Sequence, residues 1–322
     1  MTYLHCRPAM QDVTSPSSLF NRARQVLAQQ PALPLPGSGH TLQRWRALAA
    51  WGAEDLCLAK VLEAHYDAQA IIAELNAPGV AEGQLLAVWA AEGPANTLRI
   101  DAGGGLYGDK PWCSGSASVD AALVTVRNTH GVWLCHVAAE HWCTLSGEPW
   151  PAAGMAGIPS TTVRFDGAPM TILGPRDAYL QRPGFWHGGA GIAAVWFGAA
   201  VALAERMRPA CSDGNRARLL GAADLVLGPA AALLREVAAR IDDAPQSAHR
   251  EDVVRLRCVV ERAATRVLDL AGRALGPAPM CLEDGHARRW ADLTVFLRQC
   301  HADRDWQWLG EQRAAEETAW AL

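Results

Sequence analysis

Apolar positions recur at helical spacing in the first quarter of the chain. A short amphipathic segment spans Leu19 to Leu27, and the proline-rich stretch Pro31 to Gly37 (PALPLPG) follows it. Leu42, Trp45, Leu48, Ala49, Gly52, Leu56, Ala59 and Leu62 then fall on one helical face, with Thr41 placed to cap it. Asp55 to Leu75 continues as helix, with Glu63, Asp67 and Glu74 predicted on its outer face and Pro78-Gly79 as its stop. The period then shortens. Leu85–Trp89, Thr97–Asp101, Leu106–Tyr107, Ala121–Arg127, Val132–Ala138, Thr161–Phe165 and Met170–Leu173 are short β-rich runs separated by turn residues. From Phe185 the helical pattern returns, predicting helices over 188–208, 215–241, 250–275 and 285–309. Four long helices with short connections predict a four-helix bundle. The fold class expected is α+β: N-terminal helices (1–82), a central antiparallel β domain (83–180) and a C-terminal four-helix bundle (181–322).

Composition narrows the function classes. The 322 residues carry a net charge of -4, and the densest basic group (Arg206, Arg208, Arg216, Arg218) is small, so no nucleic-acid footprint is expected. Nine cysteines with no framework spacing, and an N-terminus without an apolar signal core, predict a cytoplasmic protein. Gly188 to Ala204 carries no charge, but it is short and rich in Gly and Ala, and reads as a buried bundle helix rather than a membrane span. Cys135-His136 with His141 and Cys143 has the composition of a metal site. Adjacent strand residues face opposite sides, however, so no metal is predicted. Gly103 to Gly105 precedes no helix and reads as a hairpin turn.

Several motifs occur in a fixed order. Leu106-Tyr107-Gly108-Asp109-Lys110-Pro111-Trp112-Cys113-Ser114-Gly115 leads into Asp120 to Val126. Thr161 to Asp166 closes the β region, and Arg182-Pro183-Gly184-Phe185 enters the bundle. Pro36 to Thr41 forms a glycine-rich approach to a long helix. In this order they resemble the acyl-CoA dehydrogenase family, as a shortened and divergent member, and its relatives among flavin-dependent monooxygenases.

The resemblance implies an FAD cofactor, an acyl thioester or other small-molecule substrate, and a homodimer or homotetramer. It matches Trp112 to an indole beside the flavin and Ser114 to a hydroxyl at the ring's polar edge. An indole offers a flat apolar wall, and a hydroxyl donates or accepts as the ring's redox state requires. Trp89 to Asn96, with Trp89 and Ala91 at the cofactor edge, sits where the family has a Thr-Glu-Pro loop, here with alanine for threonine. Arg273, and with it Arg206, is the candidate for the pyrophosphate, since a guanidinium accommodates phosphate from many directions.

The family's catalytic glutamate is missing from its usual place. Counting from Asp292 lands on Cys300 and His301. His301 is a competent base near neutral pH, with Asp305 at i+4 to orient it, and Glu261 on the preceding helix is the alternative. His65 and His286 read as structural. Three functions follow: FAD-dependent α,β-dehydrogenation of an acyl thioester, flavin-dependent monooxygenation on the same scaffold, or a structural subunit without catalysis.

Overall fold

The computed structural model describes residues 16–77, 83–93, 95–145, 150–316 and 320. The expected irregular N-terminus before residue 16, the Pro78-Gly79 stop, Pro94 and Gly147 lie outside the described residues. Three helices come first: α1 (Pro16–Gln29), α2 (Thr41–Glu54) and α3 (Leu56–Glu74). Eight strands follow: β1 (Leu86–Trp89), β2 (Arg99–Ile100), β3 (Leu106–Ser114), β4 (Ala121–Asn128), β5 (Gly131–Ala138), β6 (Cys143–Thr144), β7 (Ser160–Ala168) and β8 (Thr171–Ile172). After the short α4 (Ala178–Gln181) come the long helices α5 (Gly184–Met207), α6 (Gly214–Asp243) and α7 (Arg250–Leu275). The chain then ends in α8 (Ala278–Leu282), α9 (Asp284–Phe296) and α10 (Asp303–Ala315).

The α–β–α order is the one the periodicities predict, with two refinements. The strands form two four-stranded sheets, ordered β1-β4-β5-β8 and β2-β3-β7-β6, and β1 runs parallel to β4 while the other pairs are antiparallel. The helix expected over 285–309 is two. α9 ends in a 3-10 turn (Leu297–Gln299), and Ala302 takes a φ of 34° before α10 begins.

Close helix contacts set the frame of the bundle. A Cβ on Gly198 of α5 would stand 1.9 Å from the Ala49 carbonyl oxygen of α2, and one on Gly52 would stand 2.2 Å from the Val195 oxygen. The two backbones therefore touch, and only glycine fits at the crossing. α2 is capped from far along the chain. Asp242 at the end of α6 accepts from the Thr41 amide (3.0 Å) and from the Thr41 hydroxyl (2.6 Å), so Thr41 is the first helical residue rather than the cap. Asp55 caps α3 locally by accepting from the Leu58 amide. α5 and α6 are both long and apolar enough to cross a membrane, and the apolar window of α5 is 67% buried inside the fold.

Candidate functional site

A cleft of about 1140 Å³ opens where α3, the end of β1, β3 and the helices α7 and α9 converge. Its β wall owes its shape to an irregularity. Lys110 of β3 faces Val163 of β7, and Cys113 faces Thr161, so Pro111 and Trp112 together oppose the single residue Thr162. This is a β-bulge, and it suits proline, which has no amide to give the ladder. Trp112 adopts a φ of 64° there and is 55% exposed, its indole set into the cleft with Gly93 beside it. Ser114 also lines the cleft, and its hydroxyl lies 2.6 Å from that of Ser160. The indole and the hydroxyl pair thus share one wall, facing Leu268, Phe296 and Leu297 of the bundle side.

The remaining predicted residues divide. Ala91 lines the cleft. Trp89 is buried behind it, stacked edge-on against Trp142 with ring centres 4.8 Å apart, and donates its Nε1–H to the Ser114 carbonyl. His301 is exposed at the cleft rim. The break before α10 removes the helical i+4 relation to Asp305, whose carboxylate stands 3.9 Å from the Cys300 sulfur instead. Glu261 is buried beneath the rim, accepting from Arg298 at 2.8 Å and from the Thr265 hydroxyl at 3.0 Å; those two partners, not Glu261, line the cleft. Arg273 and Arg206 point away and pair with Asp269 and Glu283. Arg182 and Gly184 of the junction motif bind Glu74 at the end of α3, which makes that motif a clamp between α3 and α5. His65 is structural, accepting at Nδ1 from the Leu86 amide, and burial pushes its pKa down to about 4.

Sequence reasoning placed Glu63 and Asp67 on an outer face, and the structure overturns that. Both line the cleft, because the second face of α3 is covered by the bundle. Glu63 pairs with Lys60 at 3.1 Å, and the Lys60 ammonium lies 5.9 Å from the Phe296 ring. Burial raises the Asp67 pKa, with Arg182 opposing. Its Oδ1 is buried without a hydrogen-bond partner among the described residues, packed where a Cβ on Gly188 would come within 2.6 Å. The phenol of Tyr179, also at the cleft, is pushed up by burial. The available signal was Lys60, Glu63 and Asp67 at i, i+3 and i+7 on a helix otherwise apolar nearly all round, whose charges had to face something built.

Glu92 forms one edge of the cleft. It accepts from the fully buried Lys110 at 3.3 Å and from the Thr125 hydroxyl at 3.1 Å.

No protein-family model and no curated protein matches the sequence. Solved structures do. TdsC from Paenibacillus sp. A11-2, a dibenzothiophene monooxygenase solved with FMN and indole, superposes with a TM-score of 0.76 at 18% identity over 93% of this chain and 90% of its own. Butyryl-CoA dehydrogenase from Megasphaera elsdenii gives 0.72 at 14% identity over 96% of this chain and 100% of its own. This is the acyl-CoA dehydrogenase fold. The FAD complex of PigA shares it too, with a TM-score of 0.74 at 16% identity over 94% of this chain and 91% of its own. In the acyl-CoA dehydrogenase fold of this chain, the crevice between the sheets and the last helices carries the Trp112 wall, the serine pair and the α3 acids.

Proposed function

We propose that this protein is a flavin-dependent oxidoreductase of the monooxygenase type, acting on a small, flat, largely apolar molecule. The observation that carries the reading is that Trp112 and the Ser114–Ser160 hydroxyls face the bundle across a single cleft. Its volume of about 1140 Å³ is above the usual span for one ligand, roughly 300–1,000 Å³. It has room for a tricyclic ring and a substrate together. The fit at the ring end is good: a flat indole wall, hydroxyls for a polar edge, and apolar side chains opposite. Bound there, a flavin would supply two-electron chemistry and, when reduced, the activation of dioxygen. TdsC with FMN and indole, and PigA with FAD, support both the cofactor class and the substrate class.

Oxygenation is favoured over acyl-thioester dehydrogenation by the state of the bundle-side carboxylate. Glu261 is engaged by Arg298 and lies behind the wall, so it is not presented to a substrate. The dehydrogenase reading keeps one supporting observation, the carboxyls of Glu63 and Asp67 inside the cleft. Lys60 and Arg298, the Lys and Arg side chains among the described cleft residues, already pair with Glu63 and Glu261. Phosphate contacts from a second copy of the chain fit that arrangement, and we propose a homo-oligomer. The outer face of α6 suits the contact, since its apolar window is only 22% buried and Leu225 is exposed.

The visible spectrum of the purified protein, alone and with added FMN or FAD, tests the proposal. Flavin bands with quenched ring fluorescence are expected. Reduction by an external reductase followed by oxygen-dependent conversion of an indole-like aromatic supports the monooxygenase. Anaerobic bleaching by an acyl-CoA would replace that reading with the dehydrogenase. Colourless protein that ignores both flavins would leave a structural subunit.

A further inference from the structure

Cys258 of α7 and Cys300, just beyond the 3-10 turn that ends α9, have no role in the proposed flavin chemistry. Their sulfurs and the Asp305 carboxylate lie within 4.8 Å of one another, and both cysteines are buried. The neighbouring Arg257 is half-buried, its guanidinium donating to the Gly189 carbonyl at 2.6 Å and the Gln299 carbonyl at 3.0 Å while packing on Trp196. Gln299 and His301, on either side of Cys300, line the cleft.

We propose that Cys258 and Cys300 form a peroxide-sensitive dithiol, a redox modification site that closes to a disulfide at the rim of the cleft.

The pair is asymmetric. The Cys300 thiol is lowered to about 7 by the hydrogen bond from Cys258, with the Ala302 amide and the Arg257 charge adding to it against burial and the Asp305 carboxylate. Cys258 is raised, first by that same hydrogen bond and then by burial. One cysteine is therefore the nucleophile and the other keeps its proton and resolves the product.

The Cys300 thiolate attacks one oxygen of hydrogen peroxide, so an S–O bond forms and the O–O bond breaks. The departing hydroxide takes up the proton lost by Cys300, giving water and a sulfenic acid. Cys258 sulfur then attacks the Cys300 sulfur. An S–S bond forms, the S–O bond breaks, and the Cys258 proton leaves with the hydroxide as a second water. Two thiols lose two electrons, and one peroxide is reduced to two waters.

Closing the gap to a disulfide requires a local shift, and the non-helical turn around Ala302 (φ 34°) can supply it. The shift would move Gln299 and His301, and with them the cleft wall. A divalent metal at the same three ligands is disfavoured because it would stand beside the Arg257 cation.

The test uses the full-length protein treated with stoichiometric hydrogen peroxide, alkylated, and mapped without reduction by mass spectrometry. A Cys258–Cys300 linked peptide is expected, forming about tenfold faster than oxidation of the exposed Cys143 and Cys281. The Cys258→Ser protein should stop at a dimedone-reactive sulfenic acid on Cys300. The wild-type map does not depend on that variant folding. Oxidation at Cys143 and Cys281 with Cys258 and Cys300 still reduced would overturn the proposal. So would stoichiometric zinc in the purified protein that leaves on Cys300→Ser substitution.

Discussion

Trp89 donates its indole N–H to the carbonyl of Ser114 at 3.1 Å, holding from behind the strand that presents a hydroxyl to the cleft. The residue expected to touch a cofactor therefore acts one layer below it. Trp89→Phe keeps most of the packing and strands that carbonyl, at a cost of about 1–3 kcal/mol. Trp112→Ala should change stability by less than about 0.5 kcal/mol, because the indole is half in solvent, yet weaken flavin binding about tenfold. Urea denaturation and quenching of flavin fluorescence measure the two effects. Equal loss of affinity in both variants would contradict the assignment of Trp112 as the wall.

Asp292 of α9 offers a pH prediction. Burial raises its carboxyl to about 6, although the Met155 amide donates to it. Between the ordinary aspartate value and about 6 the unfolded chain has released this proton while the folded one retains it. Stability is therefore lost as pH rises through that window and flattens above it. The full shift is worth on the order of 3 kcal/mol. Asp292→Asn keeps the acceptor for Met155 and removes the titration. The stability difference between variant and wild type should grow in favour of the variant from pH 4 to 6.5 in urea melts. A constant difference would count against a raised carboxyl.

Two glycines on exposed and buried helices should respond in opposite directions. Gly198→Ala drives a methyl into the Ala49 carbonyl and should cost about 3 kcal/mol or more, since backbone cannot give way cheaply. Gly221 on α6 has nothing near its missing Cβ, and Gly221→Ala should stabilise by about 0.5–1 kcal/mol. Thermal melts of both variants check the contrast.

Lys110 sits fully buried, donating to Glu92 and to both oxygens of Thr125. Lys110→Ala leaves a cavity and an unpaired Glu92, for a loss of about 3 kcal/mol. Lys110→Met refills the volume and should lose less than half of that in the same urea melts. If both variants lose equally, charge pairing rather than packing dominates the site.

The helical ends and strand-rich middle were legible because each carries its own period. Trp112 and Ser114 were legible as a local motif. What escaped depends on distant partners. The bulge that turns Trp112 outward is set by the pairing of β3 with Thr161 and Val163, some fifty residues on; Pro111 marks an irregularity locally but does not say which way Trp112 turns. Strand direction is likewise absent from local composition, so the parallel β1–β4 pairing could not be read. Glu63 and Asp67 were misplaced because α3 is covered on more than one face, which makes its polar positions look solvent-directed. The break at 297–302 contains no Gly or Pro. It is held by Arg257 reaching the Gln299 carbonyl from another helix.

Several contacts that hold the N-terminal helices to the bundle join opposite ends of the polypeptide. Thr41 bonds Asp242, Arg289 reaches the Ala53 carbonyl, and Cys57 donates its S–H to Asp292. Each pairing spans more than two hundred residues, the kind of link whose loop must close before it is rewarded. A chain still emerging from a ribosome has sheets to pair but no lid for them. The crevice is thus among the last parts to mature, and its inner apolar walls stay open to stray association until the terminal helices arrive.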